Sequence, residues 1–219
     1  GAGDPDANAA AASLQVLAFG SDYFCVLCKQ SSGSDLAYLV LSMASDTVTI
    51  GTAALVGPGR GTASWAHARA DHADVYVVAD NRLIRLTRSG TVLSENSSVA
   101  IPAAITTVRR VWVNTEVGRV FVFGQGTGPT LQSTYATLSA SMPGSLTATS
   151  VYTLTSTDPS TVHTVTACSR NDSGDMVVAF DGFENTDSNA YLVRWFEVDS
   201  DGALVASTGR RIDNACLHG

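Results

Sequence analysis

"DVYVVADNRLIRLTRSGTVL", residues 74–93, decides the reading of the fold. Two runs rich in Val, Ile and Leu flank the dipeptide Asp80–Asn81, and a second turn signal, Ser89–Gly90, leads into a third run. Asp, Asn and Gly are the residues that supply the positive φ of two-residue hairpin turns, so the stretch predicts three antiparallel strands in succession.

The stretch recurs. "DVYVVAD" has counterparts in "DYFCVLC" from 22, "RVFVFGQ" from 119 and "DMVVAFD" from 175, at intervals of 45–56 residues. After each comes a second apolar strand, from 36, 82, 133 and 190, and then a turn pair with a third strand, from 45, 89, 143 and 201. Ahead of each lies another strand, joined by a short polar loop: "LQVLAF" from 14, "SWAHARA" from 64, "RRVWVN" from 109 and "VHTVTAC" from 162.

Four hairpin-linked strands repeated four times are the pattern of a β-propeller. Neighbouring blades bury each other's faces, which accounts for central strands that are apolar throughout instead of alternating. The expected fold is all-β, with about four four-stranded blades of 45–57 residues over 13–60, 61–105, 106–160 and 161–211, after an Ala-rich lead-in at 1–12. "RIDNACLHG" matches "TVTACSRND" of the fourth unit, so 212–219 is expected to start a further blade and the chain to be part of a larger propeller, the alternative being a self-contained four-bladed ring with a tail.

Composition narrows the partners. With 45% hydrophobic and 15% charged residues among 219, the chain lies far from the disordered class. A net charge of −7 repels phosphate backbones, and of the 13 basic residues only Lys29 is a lysine, so nucleic acid is not an expected partner. No apolar run approaches the roughly 20 residues that span a bilayer, and membrane insertion is not expected either.

Candidate sites weigh against simpler readings. Cys25 and Cys28 spell C-x-x-C, but on a strand side chains three apart face opposite ways, so they read as buried thiols and not as a redox or metal pair. Cys168 and Cys216 fall at equivalent repeat positions, about 10 Å apart if neighbouring blades stack, which is too far for a disulfide. His67, Asp71, His72 and Asp74 offer metal-binding side-chain types within eight positions, yet a strand followed by its loop sets them at different heights. Gly57, Gly59 and Gly61, like Gly124, Gly126 and Gly128, resemble phosphate loops but open no helix, and read as connecting loops.

Asp199 and Asp201, with Asp172 and Asp175, put oxygen ligands in turns as calcium loops do. The simpler reading is an Asx-stabilised hairpin turn, so no cofactor is expected, with calcium as the alternative. Asn96 and Asn171 head N-x-S matches in polar turns, which makes them glycosylation candidates in a secreting host. Arg109, Arg110, Arg210 and Arg211 could be imagined gripping a carboxylate as in sialidases, but neighbours on a strand alternate faces. No hydrolase elbow, zincin helix or P-loop is found, and no catalytic residue is assigned.

The fourth unit, "SGDMVVAFDGFENTDSNAYLVRWFEVDSDGALVAS", resembles the β-propeller repeats of large bacterial surface and secreted proteins. Gly174, Val177, Val178, Ala179, Val193, Arg194, Asp201, Gly202 and Leu204 carry the resemblance, and "LIRLTRSGTVL" repeats it in unit two. Units one and three depart from it, with "SD" and "PG" at the Asp-Gly turn. The resemblance implies the fold and an extracellular or particle-surface setting. The expected function is a non-enzymatic module for adhesion, assembly or structural presentation, with protein or glycan surfaces, or other parts of its own parent chain or assembly, as partners. The alternative is a carbohydrate-active propeller, either a lectin or a sialidase-like glycoside hydrolase.

Overall fold

The computed structural model describes residues 15–19, 22–29, 36–56, 63–68, 73–126, 130–138, 141–153, 164–169, 176–183, 190–201 and 203–213. They form seventeen strands and, among the described residues, no helix. The first sheet contains β1 (Gln15–Phe19), β2 (Tyr23–Lys29), β3 (Leu36–Ala44) and β4 (Thr47–Ile50), with β5 (Ala54–Leu55) also paired to β3. The second runs β6 (Ala63–Ala68), β7 (Asp74–Ala79), β8 (Arg82–Ser89), β9 (Val92–Ala100). The third runs β10 (Ile105–Asn114), β11 (Arg119–Gly126), β12 (Thr130–Thr137), β13 (Thr149–Thr153), and the fourth β14 (Thr164–Ser169), β15 (Met176–Phe183), β16 (Ala190–Val198), β17 (Leu204–Asp213). All pairings are antiparallel, and apart from β5 each sheet follows chain order.

Local chemistry explains the hairpins. Ser45 and Asp46 have φ of 46° and 64°, and Asp80 and Asn81 have φ of 49° and 55°. Two consecutive positive φ values make the primed turn whose twist matches that of the flanking strands. Asn114 stabilises the β10–β11 turn: its Oδ1 accepts from the N–H of Glu116 at 3.1 Å, and Gly118 closes the turn at φ 65°.

The chain divides into two compact units, residues 1–100 with 139–144, and residues 101–138 with 145–219. In the first, Cys25, Leu27, Tyr38 and Val40 of the first sheet pack with Val75, Val77, Ile84 and Leu86 of the second. Tyr38 Oη donates to the Leu93 carbonyl at 2.9 Å across that core. In the second, Phe121, Phe123 and Leu131 pack with Val178, Phe196 and Val198. The Phe121 and Phe123 rings stack at 5.9 Å, and truncating either to Ala would cost about 3–5 kcal/mol. Every residue of β7 is buried, which is why its sequence does not alternate.

Three details differ from the sequence reading. The third strand of the third repeat was expected from 143, but it is β13 at 149–153, and residues 141–148 are not strand. Pro143 has no N–H to give a ladder. β17 runs through Asp213, so Ile212 and Asp213 belong to the fourth sheet and not to a new unit; residues 214–219 lie outside the described residues. β5 carries no strand signal in sequence, being two residues long.

Candidate functional site

The first sheet has one buried face and one open one. Register places Val16 opposite Val26 and Ala18 opposite Phe24. The rows continue from Val26 to Leu39 and from Phe24 to Leu41 and on to Ile50, with Met43 opposite Val48. Residues opposite one another share a face, so these nine apolar side chains form one continuous surface with no charge in it. The face behind it, with Cys25 and Val40, is the core. On the open face Val16 is 63% exposed and Ile50 66%, and Phe24, Met43 and Val48 are exposed as well. Isolated exposed apolar residues are normal, but a contiguous sheet face of them marks an interaction surface. The edge strand beside it, β4, is short and exposed at all four positions.

The sequence carried the signal for this face. "LQVLAF", "YFCVLC" and "LAYLVLS" are apolar at both parities. Such strands ask for cover on both sides, and the first sheet has it on one.

The candidate ligand residues are mostly engaged within the chain. Asp74 heads β7, where its Oδ2 accepts from Arg85 Nη2 at 2.9 Å and its Oδ1 from Thr87 Oγ1 at 2.9 Å. Asp199 Oδ1 accepts the backbone N–H of Asp201 and of Ala203, each at 2.9 Å, an Asx turn at the β16–β17 hairpin. Asp201 is ion-paired with Arg119 Nη1 at 2.7 Å, and the same Nη1 bonds the Ser200 carbonyl. The Arg119 guanidinium lies 4.2 Å from the Tyr135 ring centre. Among the described residues no three His, Cys, Asp or Glu side chains gather as a metal would require.

Asn96 lies exposed inside β9, not in a turn. Register shifts between Arg85–Ser97 and Leu86–Glu95, which makes Asn96 the extra residue of a bulge on an edge strand. Gly124 and Gly126 belong to β11, correcting their reading as loop residues. A Cβ at Gly124 would stand 2.4 Å from the Thr107 carbonyl oxygen, so glycine there permits the close approach of β10.

Arg109 and Arg110 lie on β10, both half-buried. Register shifts between Val108 and Arg110, leaving Arg109 with no opposite residue. That bulge breaks the strict alternation expected of the pair. Arg210 and Arg211 lie on β17 opposite Val193 and Leu192. Cys25 is a buried thiol outside any disulfide. Cys28 sits on β2 opposite Ala37, Cys168 on β14 opposite Val177, and His67 on β6 opposite Tyr76. The side chains of these three, and all of Asp71, His72, Gly57, Gly59, Gly61, Gly128, Asn171, Asp172, Asp175 and Cys216, lie outside the described residues.

No family model matches the chain. No curated protein matches it either. Solved structures are similar to it. Penicillium chrysogenum α-L-arabinanase complexed with arabinobiose is 7% identical at a TM-score of 0.60, over 95% of this chain and 69% of that one. An arginine-to-alanine triple mutant of AofleA from Arthrobotrys oligospora is 14% identical at 0.56, over 93% of this chain and 59% of that one. The candidate 6-phosphogluconolactonase of Bacteroides uniformis is 12% identical at 0.52, over 91% of this chain and 55% of that one. The chain thus spans between about half and two thirds of the length of these structures. At such identities the likeness is one of fold: an all-β chain of antiparallel sheets with propeller-type neighbours.

Proposed function

We propose that this chain is a non-enzymatic β-propeller module of assembly, its sheets serving as blades, and that the open face of the first sheet docks a second copy of the chain. The observation that carries the reading is the continuous apolar surface through Val16, Phe24, Leu41, Met43, Val48 and Ile50. Its residue types match the faces that the sheets of each unit already bury against one another, so another such sheet is the natural cover. A surface without charge also lets two copies of a −7 chain meet without like charges in contact. Pairing through a two-fold axis uses the same patch on both copies and closes the assembly. The setting is extracellular or on a particle surface, as the acidic, lysine-poor composition suits.

Sedimentation of the chain over a wide concentration range tests this. A dimer is expected, converted to monomer by Val48→Glu with Ile50→Glu; a monomer at every concentration defeats the reading.

The second reading is a carbohydrate-active propeller, favoured by the likeness to the arabinanase fold. A panel of fluorogenic glycosides separates the two, since turnover abolished by a single carboxylate substitution would replace the assembly reading.

A further inference from the structure

Six arginines have described side chains, and four of them are anchored. Arg82 donates to Ser98 Oγ and to the Ser98 carbonyl, both at 3.1 Å. Arg85 pairs with Asp74. Arg88 donates to the Gly90 carbonyl at 3.1 Å and lies over the Tyr23 ring, and Arg119 pairs with Asp201.

Arg109 and Arg110 break this pattern. The Nε of each is buried with no hydrogen-bond partner, as it is in Arg85 and Arg88, but unlike those two neither Arg109 nor Arg110 has a hydrogen-bond or ion-pair partner among the described residues. The neighbour of Arg110 is the Trp112 ring, 6.0 Å away. The strands around them hold no acid: β10 reads ITTVRRVWVN, β11 RVFVFGQG, and β14, which packs against β10, TVTACS. This is not a shortage of carboxylates, because the chain has 20 Asp and Glu against 13 Lys and Arg.

Two guanidinium groups on consecutive residues, partly desolvated and without a counter-ion among the described residues, are costly. Burial pushes the Arg110 guanidinium below its ordinary value, the sign of a charge that lacks compensation. The bulge at Arg109 adds the second guanidinium at this point of the strand, and bulges commonly re-aim side chains beside functional sites. A buried polar group left unpaired calls for a water, an ion or a ligand to account for it.

We propose that Arg109 and Arg110 form a binding site for a small carboxylate-bearing ligand, with Trp112 offering an apolar surface beside it. The guanidinium fork matches a planar carboxylate with two parallel N–H···O bonds, and an aromatic face suits the C–H surface of the rest of the ligand. The site is independent of the assembly face.

The test is a titration of the ¹⁵N-labelled full chain, reading the arginine Nε–H and tryptophan indole resonances, with acetate, glucuronate or inorganic phosphate at constant ionic strength. Saturable shifts at Arg109, Arg110 and Trp112 are expected with both carboxylates, tighter for glucuronate than for acetate. Arg109→Gln with Arg110→Gln should abolish them, and Arg82→Gln should leave them intact. Arg110→Lys keeps the charge but loses the fork, and should weaken binding about tenfold; this variant serves if the double one does not fold. Shifts reproduced by chloride alone, tighter binding of phosphate than of glucuronate, or an affinity unchanged in Arg110→Lys each overturn the assignment.

Discussion

Asp74 and Arg85 close an ion pair inside the second sheet, Oδ2 to Nη2 at 2.9 Å, with the two side chains 1% and 11% exposed. Asp74 stands opposite Thr87 on β8, and Arg85 lies two residues before Thr87, so the pair is a diagonal contact on one face. Thr87 Oγ1 satisfies the second carboxylate oxygen. The net worth of such a pair is small, but removing one partner strands the other charge. Asp74→Ala should therefore cost about 3–5 kcal/mol. Urea unfolding should show a lower midpoint at unchanged slope, and adding Arg85→Met should recover much of the loss.

Asp80 and Asn81 form the turn of the β7–β8 hairpin in left-handed conformation. A β-branched residue is strained there, so Asn81→Val should cost about 1–2 kcal/mol. Asn81→Gly relieves the same strain and should be neutral or slightly stabilising. Thermal unfolding of the two variants reads the difference, and an equal effect of both would remove the turn from the account.

Most of the architecture was legible in sequence because strand and turn are local. Asp80–Asn81 and Ser45–Asp46 announce their turns by residue type, and β7 announces its double burial by having no polar alternate. Pro143–Gly144 signals a turn by residue type, whereas the strand that follows begins only at Thr149. The sites were less legible because they depend on register. That Arg109 is an unpaired bulge residue, that Asp201 meets Arg119, and that nine apolar residues of the first sheet share an open face follow from which residues stand opposite one another. No single strand carries that information.

Gly124 is held by the carbonyl of Thr107 and the Cγ2 of Ile105, which a Cβ would approach to 2.4 and 2.6 Å. The first is backbone and cannot yield without moving β10. Gly124→Ala should cost about 1–3 kcal/mol by forcing the strands apart. Because β10 carries Arg109 and Arg110, the substitution should also change the amide resonances at both arginines. A stable protein with those resonances unmoved would show that the bulge does not depend on glycine.

Asp199 and Asp201 sit two residues apart in the β16–β17 hairpin but do different things. Asp199 Oδ1 holds two backbone N–H groups, which would otherwise lack this partner, and Asp199→Ala should cost about 1–2 kcal/mol. Asp201 is 65% exposed against 21% for Arg119, so solvent screens the pair. Asp201→Ala should change stability by less than about 1 kcal/mol. With the Asp199 oxygen taken by N–H donors and the Asp201 carboxylate by a guanidinium, calcium would have to displace bonds already made. Millimolar calcium is accordingly expected to leave the melting temperature unchanged. A calcium-dependent rise that vanishes in Asp199→Ala would instead make this hairpin a cation site.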